Sequence, residues 1–209
     1  VTIFTFATEQ LLFGTHPQVS HTINVLLYLL LCMSIFHLLS KLPIQGIKYV
    51  SLAAILLFSV HTSHTEVVCS IKNRDNILSM LLGMWSLSLF IRYYTGHRLI
   101  FFILGILLLF CGILSKLDSI VFIFIVPLTL VFFYGKDVKR LAGIFAGCIV
   151  MIVLENILME SVIRTQQTSY RNFVSYTENP LYNHPGFLPK ISQSIQTVSY
   201  YIKFMLIPK

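Results

Sequence analysis

The amino-acid sequence predicts an all-α membrane protein, a polytopic helical bundle of about six to seven transmembrane helices. Charged residues make up only 11% of its 209 residues and hydrophobic residues 56%, whereas a soluble domain carries roughly 25% charged residues. The mean hydropathy is +0.81. Apolar stretches near the length of a membrane-spanning helix recur along the chain, which is the pattern of a multi-pass protein.

Each predicted helix is an apolar run bounded by charged residues or by a polar segment. The runs lie at about 22–40, 47–60, 77–94, 99–115, 119–134, 141–159 and 197–209. The third ends at Tyr93 and Tyr94, an aromatic pair typical of a membrane interface, and a turn of four residues, Ser115–Asp118, separates the fourth run from the fifth.

The positions of the basic residues predict the sidedness of the bundle. Seven of them fall in three very short connections: Lys41, Lys48, Arg92, Arg98, Lys136, Lys139 and Arg140. Six others are spread over the alternate, much longer connections: Lys72, Arg74, Lys116, Arg164, Arg171 and Lys190. The positive-inside rule therefore makes the short turns cytoplasmic and places the polar segments 61–76 and 160–196 outside, together with the Ser115–Asp118 turn.

The chain is expected to form a single transmembrane domain, 1–209, with external loops at 61–76 and 160–196 and no separate soluble domain. It begins at Val1 without a signal segment and stops within an apolar run, so we expect a part of a longer protein. The predicted location is an integral multi-pass position, in the endoplasmic reticulum of a eukaryote or the inner membrane of a bacterium. The net charge of +7 does not indicate nucleic acid, because neither face carries a basic tract interleaved with aromatic residues.

A dense polar cluster, residues 61–76, lies between two apolar runs, and charges at a membrane edge favour a functional site. Arg74 offers a planar fork suited to phosphate, and Asp75 can pair with a neighbouring Lys. His61 and His64, with Glu66 close by, could bind a metal or donate hydrogen bonds to a phosphate or sugar. Spacing fixes no third ligand, so no cofactor is firmly predicted and a divalent metal stays an alternative. An ordinary solvated loop with snorkelling charges is the other alternative.

Lys116 and Asp118 lie in the short turn that the sidedness rule places on the same face as the cluster. Two basic groups from different turns, Arg74 and Lys116, could then hold a lipid phosphate at the leaflet boundary. The alternative is a Lys–Asp pair that simply ends two helices. Asn24, near the outer end of the first predicted helix, is expected to bond a neighbouring helix.

The segment from His61 to Leu78 resembles a signature of the tetratricopeptide-repeat-containing O-mannosyltransferase-like membrane proteins and their bacterial relatives, within the GT-C glycosyltransferases. The residues that carry this resemblance are His61, Thr65, Glu66, Val68, Ile71, Arg74, Asp75 and Leu78, and further similar pieces are Phe13-Gly14, Pro17, His21, Asn24, Ser115-Lys116 and Asn179-Pro180-Leu181. Thr62 and Leu117 stand where the family has Pro and Glu.

The resemblance implies a GT-C-type bundle that transfers a sugar, with mannose as the expected one, from a polyprenyl-phosphate donor to a protein hydroxyl. It implies that the catalytic carboxylate lies upstream of Val1 and that Arg74 and Lys116 bind the donor phosphate. Glu66 and the two histidines, His61 and His64, would orient the sugar or those cations. The partners expected are membrane lipid, the lipid-phosphate sugar and a polypeptide acceptor. Two alternatives are a transporter or flippase for a lipid-linked substrate, and an inactive scaffold with repeats outside this sequence.

Overall fold

The computed structural model describes residues 1–135, 137–166 and 187–207, and within these ranges the chain forms α-helices and no strand. The helices are α1 (Thr2–Phe13), α2 (Pro17–Leu39), α3 (Ile47–Val60), α4 (Ser63–Cys69), α5 (Arg74–Gly96), α6 (Leu99–Ser115), α7 (Phe122–Tyr134), α8 (Val138–Gln166) and α9 (Phe187–Leu206). Short 3-10 turns lie at Ile71–Asn73 and Leu117–Val121. The all-α prediction is confirmed for the described residues.

The predicted helix bounds differ from the observed ones mainly at the outer ends. α3 and α6 have the predicted bounds, whereas α2 begins earlier, at Pro17, where proline's fixed φ suits a first helical residue. The segment 61–76, expected to be a loop, holds α4, a 3-10 turn and the start of α5. Both ends of the predicted loop 160–196 are helical, since α8 continues to Gln166 and α9 begins at Phe187.

Fewer helices could cross a membrane than the six to seven expected. Four are long and apolar enough: Pro17–Leu39, Ile71–Gly96, Leu117–Tyr134 and Val138–Leu158. α3 and α4 would make a fifth if they form one span, but they meet at a bend of 65°. α6 is shorter, and α9 carries polar residues along its length. By length and composition, the described part therefore has four to five candidate spans.

Helix α5 lies at the centre of the bundle, because its side chains enter two hydrophobic clusters. Ile77 and Leu81 near its start pack with residues of α2 and α3. Phe90, further along, packs with residues of α6, α7 and α8. Small residues bring α5 and α6 close together: the buried Ser86 hydroxyl donates to the carbonyl of Gly105 at 2.7 Å. Such packing is typical of helices in lipid.

Side chains on the outer surface of the bundle are apolar. Along α7, Phe124, Leu128 and Phe132 are spaced by four residues and all are exposed. A stripe of this kind faces lipid in a membrane protein and would be a large apolar patch in a soluble one. The described residues divide into two compact units, Val1–Asn156 and Ile157–Lys209, and all the sites considered below lie in the first.

Candidate functional site

The guanidinium of Arg74 is buried at the first residue of α5, where it binds groups from α1 and α2. Its side chain has 0% exposure, and its Nη1 lies 2.7 Å from Oε2 of Glu9, which is only 7% exposed. Nε donates to Oδ1 of Asn24 at 2.8 Å, and Nη2 donates to the carbonyl of Ser20 at 3.2 Å. The Phe6 ring lies under the guanidinium, 4.0 Å from Cζ. Arg74 is therefore held inside the protein by an ion pair through Nη1 and by hydrogen bonds through Nε and Nη2.

Glu9 is ionised at neutral pH. Burial alone would raise the pKa of its carboxyl, but the hydrogen bond from the Ser20 hydroxyl and the Arg74 guanidinium outweigh burial and hold the pKa below its usual value. A carboxylate with a lowered pKa that already neutralises an arginine is a poor general base. Glu9 is thus suited to position Arg74 rather than to deprotonate an acceptor.

Asn24 extends the network to the end of α4. Its Oδ1 accepts from Arg74, and its Nδ2 donates to the carbonyl of Ser70 at 3.2 Å. Asn24 has 0% exposure. The expected role of Asn24, a bond to a neighbouring element, is confirmed. The network of Glu9, Ser20, Asn24 and Arg74, here called the arginine network, fixes α1, α2 and the α4–α5 junction to one another.

Lys116 lies on the other side of the start of α5. Its Nζ donates a short hydrogen bond to Oδ1 of Asn76 and lies 3.5 Å from Oδ2 of Asp118. The Lys116 side chain is 33% exposed and that of Asp118 is 73% exposed. An ammonium has three donors, so Lys116 can bind an anion without losing a buried partner. The predicted neighbours Lys116 and Asp118 are in contact, whereas Arg74 is held in its own network.

A cavity of about 400 Å³ opens beside this lysine. Its walls are mostly apolar residues of α2, α5 and α7, and its polar lining comes from the α4–α5 region and the turn before α7. The lining residues are Tyr28, Leu31, Phe58, His64, Val67, Asn76, Ile77, Ser79, Met80, Met84, Asp118, Ser119, Val121, Phe122 and Ile125. Both contacts of Lys116, Asn76 and Asp118, belong to this lining. Lys116 itself is not among the lining residues and lies next to the cavity through these two contacts. We call this cavity the outer cavity.

The other predicted site residues lie around this region. The His64 ring packs 4.2 Å from that of Phe58, centroid to centroid, and lines the outer cavity. The His61 ring meets His64 edge-on at 5.9 Å. Glu66 is exposed on α4. Asp75 accepts from the backbone N–H of the next residue at 2.8 Å, in the first turn of α5, where a negative charge is favourable.

Three further expectations concern metal binding, the Asn-Pro-Leu motif and the transporter alternative. Among the described residues no group of three or more His, Cys, Asp or Glu side chains is placed to hold a metal ion. Residues 179–181 lie outside the described ranges. Secondary transporters commonly have broken helices at corresponding positions of two repeats, and the part of the chain that the structure describes has one bent helix pair, α3 with α4.

The sequence reasoning missed three of the partners of Arg74: Glu9, Ser20 and Phe6. Glu9 is the only acidic residue before Glu66, and a lone carboxylate in an apolar stretch was a signal that it has a cationic partner. Ser20 and Phe6 carry no such signal. Ser20 accepts from Arg74 through its backbone carbonyl, which every residue has, and Phe6 is one of 17 phenylalanines in the sequence.

Comparisons with known proteins show a partial similarity to a transferase. The chain is 30% identical over 80 residues to human protein O-mannosyl-transferase TMTC1; the match covers 38% of this chain and 9% of that protein. The chain therefore spans a small part of the relative's length. No family model matches the sequence, and no solved structure matches the chain. This similarity, together with the helical membrane fold, relates part of the chain to an O-mannosyltransferase.

Proposed function

We propose that this chain forms the donor-binding part of a GT-C glycosyltransferase, which moves a sugar, mannose in the first instance, from a polyprenyl phosphate to a hydroxyl of a polypeptide. The observation that carries the proposal is the contact of Lys116 with Asn76 and Asp118, two polar residues that line the mostly apolar outer cavity. Partial identity to an O-mannosyltransferase supports the same class. A lipid-linked phosphate needs this combination: apolar walls for the chain and a cation at the membrane surface.

In the proposed reaction, negative charge develops on the donor phosphate, where the Lys116 ammonium can stabilise it. The acceptor oxygen attacks the anomeric carbon, the bond from that carbon to the phosphate oxygen breaks, and the acceptor proton passes to a carboxylate base. The departing lipid phosphate gains negative charge as the bond breaks. A nearby ammonium lowers the barrier because it interacts more strongly with the transition state than with the bound donor.

Arg74 is assigned a different role from the one expected from the sequence. Its guanidinium has 0% exposure and already contacts Glu9, Asn24 and Ser20. Its contribution is to hold the start of α5, so that Asn76 and Lys116 stay at the cavity edge. Arg74 is therefore a positioning residue in this proposal, and Lys116 is the phosphate-binding residue.

The test measures transfer of labelled mannose from polyprenyl phosphate to polypeptide in membranes that contain the intact protein. Lys116→Ala is expected to lower kcat/KM by about a hundredfold, the effect typical of removing one group that stabilises a developing anion. Lys116→Arg is expected to retain part of the activity. Lys72→Ala is the matched control, since Lys72 is exposed on the neighbouring 3-10 turn, whereas Lys116 contacts two residues that line the outer cavity.

Two results would overturn the proposal. If the intact protein transfers no sugar from any polyprenyl-phosphate donor, the chain is not part of a transferase. If Lys116→Ala and Lys72→Ala keep equal activity, Lys116 does not bind the phosphate. Thermal unfolding of both variants, compared with the unaltered protein, separates lost binding from lost folding.

A further inference from the structure

A second cavity, of about 590 Å³, lies near the C-terminal ends of α2 and α5. We call it the inner cavity. Six residues of α5 form one part of its wall, residues at the end of α2 form another, and single residues of α6 and α7 complete it. The lining residues are His37, Leu38, Lys41, Trp85, Ser88, Leu89, Ile91, Arg92, Thr95, Leu108 and Tyr134.

The inner cavity combines apolar walls with cations. Lys41 and Arg92 both line it and both are exposed, and His37 lies one helical turn before Lys41. None of the lining residues that the structure describes is acidic. Asp137 lies in the next short connection that the sequence predicts on the same side of the membrane. Its Oδ2 is paired with Nε of Arg140 at 2.9 Å. The inner cavity therefore presents uncompensated positive charge.

One wall is held in place by an aromatic side chain. The indole N–H of Trp85 donates to the hydroxyl of Ser34 at 2.9 Å, which joins α5 to α2. Because this hydrogen bond satisfies the indole N–H, the ring offers an apolar face to a ligand. Trp85 is 37% exposed, so the ring is accessible at the surface of the bundle.

We propose that the inner cavity binds an anionic phospholipid. Its phosphate lies between Lys41 and Arg92, and an acyl chain lies along Trp85 and Leu89. A lipid is favoured over free phosphate because the walls are apolar and the sequence predicts this end of the helices at the cytoplasmic leaflet, whose anionic lipids attract basic residues. This site is separate from the outer cavity and does not depend on transferase activity. The competing explanation is that the two cations only interact with the C-terminal ends of their helices.

Trp85, the only tryptophan of the 209 residues, supplies the probe. The intact protein is placed in nanodiscs with brominated phosphatidylglycerol in a background of phosphatidylcholine, and then with brominated phosphatidylcholine in the same background. Quenching assigned to Trp85 is the difference from a Trp85→Phe variant. We expect phosphatidylglycerol to bind roughly tenfold more tightly than phosphatidylcholine, from two cations close to the headgroup.

Matched double variants make the test specific. Lys41→Gln with Arg92→Gln is expected to abolish the preference for phosphatidylglycerol. Lys48→Gln with Arg98→Gln removes two other exposed cations from the same short connections, outside the inner cavity, and is expected to keep it. Equal quenching by the two brominated lipids would overturn the proposal. The proposal would also be overturned if the preference for phosphatidylglycerol survives the first double variant, or if both double variants abolish it equally. In either case, the positive charge responsible for the preference would not be specific to the inner cavity.

Discussion

Replacing Glu9 by Gln isolates the electrostatic part of the arginine network. Gln keeps the size of the side chain and can still accept a hydrogen bond, but it leaves Arg74 without a counter-charge. Arginine does not deprotonate in proteins, so its charge stays buried, at 0% exposure. Leaving one member of a buried pair uncompensated costs roughly 3–5 kcal/mol, and we expect about 3 kcal/mol because the amide replaces part of the interaction.

The matched control is an exposed pair of similar geometry. Asp137 lies 2.9 Å from Arg140, compared with 2.7 Å for Glu9 and Arg74, but these side chains are 37% and 29% exposed. Asp137→Asn should cost less than about 1 kcal/mol, because water screens an exposed pair. The two substitutions remove the same charge, so burial is the main difference between them.

The assay is reversible unfolding of the detergent-solubilised intact protein by sodium dodecyl sulfate, followed by the fluorescence of Trp85 against a Trp85→Phe reference. Glu9→Gln should lower the free energy of unfolding by clearly more than Asp137→Asn. Equal costs for the two variants would refute the reasoning, because burial would then add nothing to the value of the Glu9–Arg74 pair.

Three further predictions concern acid, charge rescue and packing. The folded-state pKa of Glu9 lies below the ordinary pKa of a glutamate, so its stabilising contribution is complete above that ordinary pKa and is lost as the pH falls through the folded pKa. Glu9→Gln should remove this acid-sensitive part from unfolding curves. Asn24→Asp should partly restore the stability of Glu9→Gln, because the new carboxylate lies against Nε of the guanidinium, 2.8 Å in the present contact. Gly83→Ala should lower the free energy of unfolding by about 1–3 kcal/mol, since the added Cβ would meet the buried Phe122 ring at 2.2 Å. Gly143→Ala is the control in the same unfolding assay and should be tolerated, because no atom lies within 4 Å of its added Cβ.

The sequence predicts most of the helices because crossing hydrocarbon requires a minimum apolar length, and that length is visible in one dimension. It does not predict α1, which has 12 residues and is too short to span. It also misses the bend after Val60. No proline or glycine marks that position, and the chain turns because His61 adopts an extended conformation between two helices.

The sequence predicts those contacts of the candidate site that depend on which side of the membrane a residue faces. The rule that puts the cluster and the Ser115–Asp118 turn on one face also allows Lys116 to reach the cluster, and Lys116 does contact Asn76, the last residue of that segment. Burial was not predictable in the same way. Arg74 and Lys116 look equivalent as outward-facing cations, but the carboxylate that makes them different lies on α1, far away in sequence.

This difference changes how loss of function at Arg74 should be interpreted. Arg74→Ala would leave the Glu9 carboxylate buried and unpaired and would remove hydrogen bonds that hold α5 to α2, so it would abolish transfer whether or not a phosphate ever binds near it. Lys116→Ala removes a side chain that is one-third exposed and whose ionic partner, Asp118, is solvated. Its effect on activity therefore reports on the ligand rather than on the fold. Asn76→Ala leaves the Lys116 charge in place but removes its hydrogen-bond acceptor. If this variant raises KM and leaves the free energy of unfolding unchanged, the position of the ammonium matters as well as its charge.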